Sequence, residues 1–255
     1  MALQNATGSI SISIDATIAT IEFGHPASNS FPAQLLHQLT NTIETLGQNS
    51  EVAVVVLKSQ GNAAFCAGAS FDELLAVTNE TEGKAFFSGF AHLINAMRKC
   101  PKLIVGRVQG KTVGGGVGIA AACDYVLATQ EASIKLSELA IGIGPFVIEP
   151  AVSRKIGKIA LAELSLTAQE WKSAAWAKEK GLYANTFESV EKLDEAVAEF
   201  TRQLATYNPE AVTAMKKVLW EGTEHWDALL VERAAITGKL VISEATKTAL
   251  AAFKK

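Results

Sequence analysis

The sequence predicts a mixed α/β core followed by a helical C-terminal part. Three observations predict it. Apolar strand-like runs alternate with amphipathic helical stretches through the first half. After Pro145 the helical period continues almost alone, and no internal repeat or low-complexity linker divides the chain. Strands with crossover helices followed by helices alone imply a sheet-centred core with a helical appendage. With 255 residues, 49% of them hydrophobic, the chain can bury one sizeable core.

Taken in order, "SISISID" and "TIATIEF" alternate polar and apolar residues, which predicts two short strands with a turn at Asp15 and Ala16. "FGHPASNSFP" is loop punctuation, and Pro32 opens an amphipathic helix over 32–47. "VAVVVLKS" is a continuous β-branched run, the mark of a strand buried on both faces. The loop "QGNAAFCAGAS" follows, then a charged, Phe-rich helix over 82–99. "KLIVGRVQG", "CDYVLAT" and "ASIKLSE" are further strands. Helices are predicted over 146–157, 159–166, 168–180, 191–206, 209–220 and 226–247. A composition shift places the domain boundary after residue 195, giving a core of 1–195 and a helical region of 196–255.

Composition excludes several function classes. A net charge of −3 with a pI near 5.9 leaves no nucleic-acid footprint, and no Lys or Arg run marks an anionic membrane. The apolar segment 103–123 carries Arg107, Gln109, Lys111 and much glycine, so it fails as a membrane span. The N-terminus has no basic stretch followed by an apolar one, so no signal peptide is expected. Cys66, Cys100 and Cys123 are scattered in apolar surroundings and read as buried reduced thiols of a cytoplasmic protein. Neither CxxC nor HExxH occurs, and no metal is expected.

Two loops share one grammar: buried strand, small-residue turn, helix. They are "AFCAGAS" and "VGGGVG". A helix start presents unpaired N–H groups and the positive end of the dipole. Small residues let a ligand approach that backbone, and two such turns side by side can aim two donors at one oxygen. Two other readings of the glycines stand beside this one. Gly116, Gly118 and Ala121 give GxGxxA, a dinucleotide-like pattern, but "QGKT" intervenes after the strand and Asp124 comes too soon for the ribose acid. Alternatively, the glycines only permit close helix–sheet packing.

"AFCAGASFDEL", followed about forty residues later by "GKTVGGGVGIAAACDYVLAT" and then "ASIKLSELAIGIGP", resembles the crotonase family, the enoyl-CoA hydratase/isomerase superfamily. The resemblance spans roughly residues 10–220. It implies an α/β spiral of ββα units, a helical C-terminal trimerisation region, and a homotrimer or hexamer. It implies an acyl-CoA thioester as substrate and partner, with no separate cofactor. The thioester carbonyl is implied to sit between the backbone N–H groups of Ala69 and Gly115, with Ala67, Gly68, Gly114 and Gly118 as neighbouring substrate-binding positions.

The pattern also departs from the family's hydratases, which carry two glutamates. The first position is Gly118 here; the second is Glu138. One carboxylate beside an oxyanion hole suffices to move a proton between carbons. The resemblance therefore favours Δ3–Δ2 enoyl-CoA isomerisation, with Glu138 as shuttle. "LSELAIGIGPF" also resembles the isomerases more than the hydratases. The alternative is a 2-enoyl-CoA hydratase, acting even on branched or carboxylated substrates, with Glu149 as second carboxylate. Against that, Glu149 is also suited to opening a helix near 146–157, where its charge favours the dipole. A non-catalytic acyl-CoA-binding protein is a further class. Asp72 and Glu73 read as helix-starting residues, Cys66 as a packed thiol, and His25, His37, His92 and His225 fit no nucleophile motif. Phe253 and Lys254 are candidates for holding coenzyme A, or part of a solvated tail. Trp171, Trp176, Trp220 and Trp226 read as core and subunit interface.

Overall fold

The computed structural model describes residues 7–253; Lys254 and the Phe253 side chain lie outside the described residues. Strands β1 (Ser9–Asp15) and β2 (Ile18–Gly24) form an antiparallel hairpin, with Ala16 in the left-handed region at φ 51° in the tight turn. Helix α1 (Ala33–Gln48) follows. A strand–strand–helix unit then recurs. The first comprises β3 (Val54–Ser59), β4 (Ala64–Cys66), α2 (Phe71–Ala76) and α3 (Glu80–Lys99). The second comprises β5 (Leu103–Val108), β6 (Lys111–Val113) and α4 (Gly115–Ala122). The third comprises β7 (Tyr125–Thr129), β8 (Ile134–Lys135), a 3-10 turn at Leu139–Ile141 and α5 (Glu149–Leu166). The chain continues through α6 (Ala174–Glu179), β9 (Asn185–Phe187), α7 (Val190–Ala205), α8 (Pro209–Leu219), α9 (Trp226–Val241) and α10 (Glu244–Phe253).

The first strand of each unit joins a six-stranded sheet of order β1-β2-β3-β5-β7-β9, and the second joins a three-stranded sheet β4-β6-β8. Apart from the β1–β2 hairpin, neighbouring strands are parallel in both sheets. This is the ββα spiral that the resemblance implies. β3 shows why its run is continuously apolar. Val55 and Leu57 enter the main core, while Val56 faces the other way and meets Leu127, Leu193 and Val197. Leu193 and Val197 belong to α7, so α7 covers the outer face of the large sheet. The boundary expected after residue 195 falls inside this helix.

Four sequence expectations need correction. The loop read over "QGNAAFCAGAS" contains β4, whose partner is β6, far along the chain. The helix expected over 168–180 survives only as α6. Upstream, Lys172 exchanges backbone hydrogen bonds of 2.9 Å with Ile134, which holds that stretch extended, and the Ser173 hydroxyl then caps α6 by accepting the Trp176 N–H at 3.1 Å. The helix expected over 226–247 divides into α9 and α10, because Ser243 caps a new helix through the Thr246 N–H at 3.3 Å. Conversely, the helices expected over 146–157 and 159–166 meet as α5, kinked at Gly157 with φ 76°.

A buried charge cluster ties the units together. The Lys216 ammonium on α8 meets the Asp124 carboxylate at 2.9 Å and donates to the carbonyls of Met97 and Lys102 at 3.0 and 2.7 Å. Asp124 also accepts the Ile104 N–H and the Trp220 indole N–H, each at 2.7 Å. Each charge therefore has its partners, which is what makes such burial tolerable.

Candidate active site

The three short strands β4, β6 and β8 are parallel neighbours, so their carboxyl ends lie along one edge. Crevices beyond the carboxyl ends of parallel strands are where open sheets bind ligands. β4 delivers Ala67, Gly68 and Ala69; β6 delivers Gly114 and Gly115; β8 delivers Ser137 and Glu138.

In the first loop, the Phe31 N–H donates to the Gly68 carbonyl at 2.8 Å and the Ser70 N–H to the Phe31 carbonyl at 2.9 Å. These bonds hold the loop on one side. The Ala69 N–H between them finds no acceptor among the described residues. Gly68 has φ 91°, and a Cβ there would stand 3.1 Å from the Val113 carbonyl oxygen and 3.7 Å from the Gly115 nitrogen. The two loops are thus in direct contact. The Gly115 N–H opens α4 and also lacks an acceptor among the described residues, as expected for a first-turn amide. A Cβ on Gly115 would lie 2.6 Å from the Phe90 Cζ, so only glycine fits there without moving that ring. The sequence analysis asks only for small residues in these turns; at this position the structure requires glycine itself.

Glu138 lies opposite, on the last residue before the 3-10 turn. Its carboxyl rests on Gly114, where a Cβ would approach Oε1 to 2.9 Å. Oε2 is sealed from solvent and has no hydrogen-bond partner among the described residues, although the residue as a whole is half-buried. Loss of water around the charged form pushes its pKa up to about 7, opposed by the residue's own backbone N–H. Such a carboxyl can both release and take back a proton near neutrality.

These groups face a cavity of about 180 Å³. Of the expected residues, Ala67, Gly68, Ala69, Gly114, Gly115 and Glu138 line it. Gly118 and Glu149 do not. Gly118 lies one turn inside α4 beneath Ile148; a Cβ there would stand 2.5 Å from the Ile148 Cβ. Glu149 opens α5 and faces outward to Arg233, 3.6 Å away. The sequence reading missed most of the walls: Phe71, Leu74, Phe87, Phe90, Ile141, Ile143, Val147, Ile148 and Thr237. Phe87 and Phe90 were visible as one face of an amphipathic helix, but nothing local distinguished a cavity wall from core. Among the lining residues Glu138 is the only ionisable one.

The other candidates lie elsewhere. Cys66 is buried beside Gly116, its thiol pushed up to about 12 by burial, and its Sγ accepts the Gly68 N–H at 3.2 Å. All three cysteines are buried and free of disulfides. Glu73 caps α1, accepting the Ala33 N–H at 2.7 Å. No tryptophan lines the cavity. Trp220 and Trp226 are buried edge to face, whereas Trp171 is 41% exposed beneath Lys111 and Lys135. Among the described residues no group of His, Cys, Asp and Glu could hold a metal, and no helix is long and apolar enough to cross a membrane.

Comparison with known proteins agrees with this architecture. A crystal structure of an enoyl-CoA hydratase from Bacillus halodurans superposes with a TM-score of 0.89 over 95% of this chain and 99% of that one, at 22% identity, a likeness of fold alone. The short-chain-enoyl-CoA hydratase of Clostridium acetobutylicum is 28% identical over 94% of this chain and 92% of its own length. The peroxisomal Delta(3,5)-Delta(2,4)-dienoyl-CoA isomerase of Arabidopsis thaliana is 26% identical over 82% of this chain and 80% of its own. The family model described as "Enoyl-CoA hydratase/isomerase" matches residues 13–254. With both hydratases and an isomerase among its relatives, and with the paired backbone loops and the ββα spiral in place, the chain belongs to the enoyl-CoA hydratase/isomerase family.

Proposed function

We propose that this protein is an enoyl-CoA isomerase that shifts a Δ3 double bond to Δ2. The observation that carries this reading is a lone carboxyl, Glu138, in an otherwise non-ionisable cavity opposite two backbone amides that have no acceptor among the described residues. The thioester oxygen lies between the N–H groups of Ala69 and Gly115. Glu138, as carboxylate, removes a proton from C2, and the electron pair delocalises onto the thioester oxygen as a dienolate. The two amides stabilise that oxyanion, aided by the positive end of α4. The proton now on Glu138 returns at C4, the double bond comes to rest between C2 and C3, and the carboxylate is restored. One base suffices because it gives back the proton that it took.

Water addition needs a second group to hold and activate the water. Ile148 occupies the space over Gly118, and Glu149 is paired with Arg233 outside the cavity, which supports the single-carboxylate reading. The experiment is to incubate the protein with a trans-3-enoyl-CoA and, separately, with crotonyl-CoA, and to identify products by mass and ultraviolet absorbance. Conversion of the 3-enoyl to the 2-enoyl isomer, with no gain of water by crotonyl-CoA, is expected. Hydration of crotonyl-CoA would overturn the proposal.

A further inference from the structure

A carboxyl without a hydrogen-bond anchor must be held by the backbone that carries it. The Oε2 of Glu138 has no partner among the described residues, and only its own backbone N–H stands beside the carboxyl. Its carbonyl, however, accepts the N–H groups of Ile141 and Ile143 at 3.2 and 3.0 Å, so Glu138 moves with the 139–143 segment. One side of that segment, through Ile141 and Ile143, lines the cavity.

The other side meets α10. The wholly buried Thr246 hydroxyl donates to the Gly142 carbonyl at 2.9 Å, sharing its proton with the Leu240 carbonyl at 2.9 Å. The Ser243 hydroxyl donates back to it at 3.1 Å, which orients the threonine oxygen. The backbones also abut. Gly142 has φ 82°, and a Cβ there would lie 2.6 Å from the Thr246 Oγ1 and 2.9 Å from its Cα. The turn is thus gripped between the cavity and a helix more than a hundred residues later in the chain.

We propose that Thr246 is a positioning residue that holds the turn carrying Glu138 at the cavity wall. The proposal rests on the reading of Glu138 as the proton-moving group. It predicts that the hydroxyl, and not merely the bulk, of residue 246 sets the reactivity of a side chain that it does not touch.

The test compares the wild type with Thr246→Val, which keeps the volume and loses the hydroxyl, and Thr246→Ser, which keeps the hydroxyl. Turnover, KM and the pH dependence of kcat/KM are measured on a trans-3-enoyl-CoA. Thr246→Val is expected to lower kcat about tenfold to a hundredfold with KM little changed, because small displacements of a reacting group cost rate rather than binding. The acidic midpoint should move down toward the ordinary carboxyl range as the loosened turn admits water to Glu138. Thr246→Ser should restore both. The midpoint belongs to Glu138 because, among the described residues, no other charged side chain lines its cavity: the surrounding elements present Leu74, Phe90, Val113, Ile148 and Thr237, and Glu244 and Lys247 of α10 pair with each other in solvent.

Should Thr246→Val fail to fold, Thr246→Ala against Thr246→Ser makes the same comparison. Titration of carbon-13-labelled glutamate, with the Glu138 signal assigned by its loss in Glu138→Gln, reads the same midpoint without turnover. Unchanged kcat and midpoint in folded Thr246→Val, or a serine variant as impaired as valine, would overturn the proposal. Failure of the isomerase reading would show in the wild type's products, before any Thr246 variant is made.

Discussion

Neutralising Glu138 should stabilise the protein while abolishing its activity. The carboxyl is held at a pKa of about 7 against an ordinary 4.5, so the folded protein grips this proton more tightly than the unfolded chain does. Its contribution to stability is fully present below about 4.5, falls as pH rises through the window up to about 7, and is gone above it. At about 1.4 kcal/mol per pH unit, ionising the buried group at pH 8 costs about 3 kcal/mol, an order-of-magnitude figure. Glu138→Gln keeps the shape and removes the ionisation. Urea unfolding at pH 5 and pH 8, at fixed ionic strength, should show the variant more stable by less than about 1 kcal/mol at pH 5 and by up to about 3 kcal/mol at pH 8. Isomerisation by the wild type should fall on acidification through about pH 7, with about one site in a hundred ionised at pH 5. Subtracting variant from wild type cancels the other titrating groups, which the two share. An identical stability difference at both pH values would refute the reasoning, because it would mean that Glu138 titrates alike in the folded and unfolded states.

Gly115→Ala should lower kcat by about 10²–10³ by driving the added methyl against Phe90 and displacing an amide donor, and Phe90→Leu in the same protein should recover part of the loss. Gly118→Glu alone should yield no hydratase and a less stable protein in urea, since the side chain meets Ile148; combined with Ile148→Ala it should fold and be tested for gain of water by crotonyl-CoA. Lys216→Met should cost about 3–5 kcal/mol in urea unfolding, because it leaves Asp124 buried without its cation. The double variant Lys216→Met with Asp124→Asn should lose less than the single one.

The elements legible in the sequence were those whose signal is local. The alternation in β1 and β2, the β-branched run of β3 and the periodicity of α1 and α3 each reflect burial of a face set by the residues themselves. The short strands were not legible, because β4, β6 and β9 are three residues each and exist only through partners elsewhere in the chain. The same division runs through the site. The backbone chemistry of "CAGA" and "VGGG" and the carboxyl of Glu138 could be named from type, spacing and resemblance. That Glu149 turns to Arg233, that Ile148 covers Gly118 and that Thr246 reaches Gly142 could not.

By itself, then, the sequence determined the longer strands and helices, the family resemblance, and the small residues that leave two amides bare. The tertiary structure decided which side chains surround those amides and how strongly Glu138 holds its proton. Local patterning is set by neighbours within a few residues. The cavity is made by α2, α3, α9 and the 141–148 segment ahead of α5 converging on the carboxyl ends of β4, β6 and β8, and burial of the carboxyl comes from all of them together.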